Sequence, residues 1–117
     1  MPANAVTITS NGRLTDVDLG DPDLRGMHLR RLIGCVAVHP IALAPDLVLW
    51  AADPLRTDSL NVAATDIVMT TVGIPNRSIY GTVVCTGPSA DDTITPISAE
   101  WAKRIANHRA IRSLDAA

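Results

Sequence analysis

Aromatic residues are nearly missing from this chain of 117 residues: there is no phenylalanine, one tyrosine and two tryptophans. The core must therefore come from Ala, Val, Ile and Leu, and Trp50 and Tyr80, either of which could stack on a base or ring, read first as core and edge packing. Cysteine is scarce as well. Cys35 and Cys85 are the only two, each within an apolar extended segment. That is too few for the disulfide framework of a small secreted domain and fits two buried free thiols in a reducing compartment. Lysine and glutamate occur once each, as Lys103 and Glu100, against nine arginines and eleven aspartates. With a net charge of −2, no global field draws the protein to nucleic acid, and any anion binding has to be local. The arginine count reflects residue usage more than bidentate anion recognition. The longest apolar stretch, Leu47 to Ala52, is far short of the ~20 residues that span a bilayer, and the N-terminus lacks the layout of a secretory signal. A cytoplasmic protein with neither a membrane nor a nucleic-acid partner is expected.

Catalytic signatures are missing too. His28, His39 and His108 fall in three different predicted elements, and no Cys-x-x-Cys or His-x-x-x-His spacing offers a metal site. There is no Gly-x-Ser-x-Gly elbow and no glycine-rich phosphate loop, so no cofactor is expected. A hydrolase reading rests on Cys85 paired with His39. A cysteine inside a valine-rich strand has its thiolate disfavoured by desolvation, which weighs against that pair.

What is present is enough apolar residue, 47% against 19% charged, to fold one domain over residues 1–117. Val6 to Thr9 alternates, Asn11-Gly12 follows, and Leu14, Val17 and Leu19 resume the pattern, which predicts a hairpin with a two-residue type I′ turn. Asp21 and Pro22 suit the start of a helix over about 22–33 that Gly34 stops. Cys35 to Val38 reads as a strand ended by Pro40. Leu47 to Ala51, apolar throughout, reads as a strand covered on both faces. Apolar residues at 60, 63, 64, 67, 68 and 72 make a helical stripe, with Asp58 or Ser59 as N-cap. A strand is expected over 78–86, with Gly81 marking a bulge or a close backbone approach. A basic helix over about 98–112, capped by Ser98, completes the chain. The expected fold is α+β: one mainly antiparallel sheet of four to five strands, an N-terminal hairpin and about three helices.

Two groups of residues are candidates for binding. Asn61, in the first turn of the striped helix, and Tyr80, on the following strand, belong to sequential elements, which are usually adjacent in space. Arg56 and Arg77 flank that helix and Trp50 offers an indole, so these five are the ligand-binding candidates. Arg104, His108 and Arg112 recur at i, i+4 and i+8 and share one face that suits a phosphate or an acidic partner.

Three segments resemble the proteins grouped as domain of unknown function 3846, found in bacteria, phages and plasmids. They are Leu29-Arg30-Arg31-Leu32-Ile33-Gly34; Leu60-Asn61 with Ala64 and Thr65; and Ile79-Tyr80-Gly81-Thr82-Val83-Val84 with Thr86-Gly87. The resemblance covers about residues 4–107 and departs from the family at Ala52 to Arg56, where the family commonly carries an acidic, glycine-containing turn. It implies a fold and a phage or mobile-element setting. The expectation is then a non-enzymatic, homo-oligomeric binding protein that sequesters a small anionic or nucleotide-like ligand or blocks a host defence protein. A self-assembling accessory protein is the alternative.

Overall fold

The computed structural model describes residues 4–34, 38–52, 60–72, 78–90 and 93–108. A five-stranded antiparallel sheet in the order β2-β1-β5-β4-β3 is built from β1 (Ala5–Ile8), β2 (Leu14–Val17), β3 (Val38–Ala44), β4 (Leu47–Ala52) and β5 (Val83–Thr86). A small hairpin of β6 (Ser89–Ala90) and β7 (Thr93–Ile94) follows β5. The helices are α1 (Arg25–Ile33), preceded by a 3₁₀ turn at Pro22–Leu24, α2 (Val62–Val72) and α3 (Ala99–Ala106). This is the expected α+β domain with its N-terminal hairpin.

Side-chain alternation divides the core in two. On one face of the sheet Val6, Ile8, Leu47, Leu49, Ala51, Val83 and Cys85 meet Ala63, Ala64, Ile67 and Val68 of α2 and Ile105 of α3. On the other face Ala5, Ala52, Val84 and Trp50 meet Leu29 and Ile33 of α1, with Leu19 and Ile94. Both faces of β4 are covered, as its unbroken apolar run requires.

Several local expectations are corrected. The first hairpin closes through a three-residue loop, not a two-residue one: Gly12 N–H donates to the Thr9 carbonyl and Thr9 N–H to the Arg13 carbonyl. Gly12 has φ 84°, so the left-handed residue follows the turn. Pro40 does not end its strand. β3 lies at the sheet edge, where a missing N–H costs no ladder bond, and the strand runs on to Ala44. Asp21 makes no side-chain cap, whereas Ser98 does, its Oγ accepting the Trp101 N–H at 3.1 Å. Leu60 is 44% exposed and pairs with Tyr80 in a single bridge ahead of α2, so the buried stripe begins at Ala63. The strand expected over 78–86 is broken at Gly81, whose φ of 74° is strained for any residue with a Cβ; the ladder starts at Val83. Cys85 is buried and free. Cys35, Asp58, Ser59 and Arg109 lie outside the described residues.

Candidate functional site

Asn61 is the N-cap of α2, and its side chain is completely buried. Its Oδ1 accepts the Ala64 N–H at 2.9 Å, while Nδ2 donates to the Ile8 carbonyl at 2.9 Å and the Gly81 carbonyl at 2.8 Å. Its backbone N–H donates to the Ile79 carbonyl at 2.7 Å, and Thr65 Oγ1 accepts the Ile79 N–H at 2.9 Å. Both amide protons are thus committed to backbone carbonyls and Oδ1 to a backbone N–H, and the fully buried side chain presents no polar atom to solvent. The role expected for Asn61 as a ligand contact is corrected to that of a clamp joining α2 to β1 and the Gly81 turn. Tyr80 is adjacent, as expected, paired with Leu60 in a bridge, but is 41% exposed where Asn61 is fully buried. Trp50 is half-buried on the α1 side of the sheet, its indole N–H donating to Thr86 Oγ1 at 2.9 Å. Among the described residues, none of these three lines either of the clefts at α2/α3 and at α1. Arg56, Arg77 and Arg112 lie outside the described residues.

Arg104 and His108 do converge. Together with Leu47, Ile67, Thr70, Thr71, Trp101 and Ile105 they line an open cleft of about 340 Å³ between α2 and α3, within the size range of small-ligand sites. The floor is apolar because the buried core residues Leu47, Ile67 and Ile105, from β4, α2 and α3, lie beneath it. The Arg104 guanidinium lies 4.6 Å from the centroid of the Trp101 ring, a cation–π contact that occupies its face. Among the described residues Arg104 makes no ion pair. His108 Nε2 is 3.6 Å from Asp66 Oδ2 and 3.3 Å from Thr70 Oγ1, whose hydroxyl donates to the Asp66 carbonyl at 2.9 Å. The imidazole is therefore held at the rim by α2.

Trp101, Thr70, Thr71, Asp66 and Asp46 escaped sequence reasoning. The first had a usable signal: Trp101 and Arg104 are three apart on one helix and so share a face. The others had none, because their positions depend on how α2 packs beside α3.

Cys85, the candidate nucleophile of the hydrolase reading, has its thiol pushed up to about 12 by burial, which suppresses the reactive thiolate. Among the described residues no group of three His, Cys, Asp or Glu side chains is arranged to hold a metal ion, and no helix is long and apolar enough to cross a membrane. No protein-family model, curated protein or solved structure matches the chain.

Proposed function

We propose that this is a non-enzymatic binding protein of phage or mobile-element type that takes up a small organic anion, nucleotide-like in build, in the cleft between α2 and α3. The observation that carries the reading is the juxtaposition of Arg104, over the Trp101 ring, with an apolar floor and the lining groups His108, Thr70 and Thr71. A stacked guanidinium keeps its N–H edge available for a carboxylate or phosphate, and the floor accepts an apolar body. Membership of domain of unknown function 3846 and a cytoplasmic setting belong to the same proposal. Calorimetric titration with adenosine monophosphate, pyrophosphate and uncharged adenosine tests it. The expected result is binding of the monophosphate that Arg104→Ala weakens at least about tenfold, the loss of one charge-assisted hydrogen bond. Equal affinity for adenosine, or indifference to Arg104→Ala, would refute the reading.

A second reading, a homo-oligomer or a blocker of a host protein, is favoured by a different observation. Leu60, Val62 and Tyr80 are 44%, 62% and 41% exposed at the bridge that opens α2, and such adjoining apolar side chains mark interaction surfaces. Light scattering at tens of micromolar, about the range where weak self-association registers, would show a mass above one chain that Tyr80→Asp lowers. A monomer mass in the unmutated protein counts against assembly.

A further inference from the structure

One residue bonded to the cleft lining, Asp46, does not itself line the cleft. Asp46 belongs to the two-residue turn between β3 and β4, pinned on both sides by the Ala44 and Leu47 pairing. Its Oδ1 accepts the Trp101 indole N–H at 2.7 Å, across 55 positions of sequence. An indole has one donor and no acceptor, so this bond alone ties its polar edge to a fixed partner and selects one orientation of a half-buried ring. The face of that ring is the platform for Arg104. Leu47, the next residue after Asp46, forms part of the cleft floor, so turn, indole and guanidinium are registered to the same strand end.

We propose that Asp46 is the positioning residue of the cleft: it orients Trp101, and Trp101 in turn lays Arg104 flat with its N–H edge toward the bound anion. The consequence for binding rests on the functional reading above; the geometry does not. Asp46 is an acidic residue, as is Asp66 beside His108, while Arg104 and its sequence neighbour Lys103 are basic. Only the acceptor oxygen of Asp46 is needed for orientation, so its charge works against an anionic ligand. Asp46→Asn keeps an acceptor oxygen and removes that charge. Asp46→Ala removes both.

Two readouts separate orientation from binding. In proton NMR spectra of the free protein, the Arg104 side-chain methylene protons should be shifted upfield by the Trp101 ring. That shift should persist in Asp46→Asn and collapse toward random-coil values in Asp46→Ala, as it does in Trp101→Leu. Adenosine monophosphate titrated into the same variants should bind about three- to tenfold more weakly to Asp46→Ala, a change of the size one ordinary hydrogen bond produces. The Asn variant should bind at least as well as the unmutated protein. Adding Asp46→Ala to Trp101→Leu should cost nothing further, since the two act as one unit. An Arg104 shift unchanged in Asp46→Ala would overturn the proposal. A shift that collapses while adenosine monophosphate fails to bind even the unmutated protein would sustain the positioning role and refute the ligand reading instead.

Discussion

A buried polar side chain is costly unless every donor and acceptor is used, and Asn61 meets that condition through three backbone groups drawn from α2, β1 and the Gly81 turn. Asn61→Ala should lower the unfolding free energy by about 3 kcal/mol or more, since each buried group left unpaired costs about 1–3 kcal/mol. Asn61→Asp should be worse at neutral pH, because a carboxylate would then face two carbonyl oxygens. Urea denaturation measures both, and an Asn61→Ala variant as stable as the parent would remove the clamp from the account. The sequence showed a polar residue at the start of a helix, where capping and ligand contact look alike; the deciding partners, Ile8 and Gly81, lie 53 and 20 positions away.

Cys85 makes a second residue-scale prediction. Its folded-state value is raised from 9.0 to about 12 by desolvation, so the folded state holds the thiol proton over a range where the unfolded chain has lost it. The contribution of this group to stability is complete below about pH 9 and declines as the pH rises toward 12. Replacing Cys85 with Val should flatten the alkaline fall of the melting temperature, and the native thiol should resist disulfide-exchange reagents until the protein unfolds. Peptide mapping that found rapid labelling of Cys85 in the native state would contradict this burial.

At the scale of elements, periodicity revealed most of what was legible. The stripe along α2, the unbroken run of β4 and the alternation of β5 each follow from which faces are covered, and the structure buries Ala63, Ala64, Ile67 and Val68 as that pattern requires. Ile67 is 2% exposed and faces both the sheet and the cleft floor. Ile67→Asp forfeits about 1.5–3 kcal/mol of apolar burial and adds an unpaired buried charge, so the expected outcome is an unfolded or aggregated chain by circular dichroism. A soluble variant with an unchanged melting temperature would take α2 out of the core. Boundaries were less legible because they depend on neighbours. Pro40 reads as a stop until β3 is known to be an edge, and residues 78–86 read as one strand until the positive φ of Gly81 and its bond to Asn61 are seen. The hairpin turn is ambiguous for a related reason: Asn11-Gly12 fits two loop lengths, and strand register decides between them.

Among the described residues the molecule is a sheet with one helix on one face and two on the other, and a cleft opens where the paired helices α2 and α3 leave a gap over the end of β4. Arg104 and His108 were expected on one face of a helix over about 98–112, but α3 ends at Ala106, so His108 lies past its end, and the cleft the two residues line was not legible. It exists only because Thr70 and Thr71 come from α2, Leu47 from β4 and the Trp101 anchor from the β3–β4 turn. The central claim is that this cleft binds a small organic anion through Arg104. Its most direct test is to titrate adenosine monophosphate into nitrogen-15-labelled protein and map the shifted resonances. The account predicts saturable shifts centred on Thr70, Thr71, Trp101, Arg104 and Ile105, including the Trp101 indole N–H, that vanish in Arg104→Ala. Shifts centred on Trp50 and Tyr80, or no shifts at millimolar ligand, roughly the weak limit of specific affinity, would contradict it.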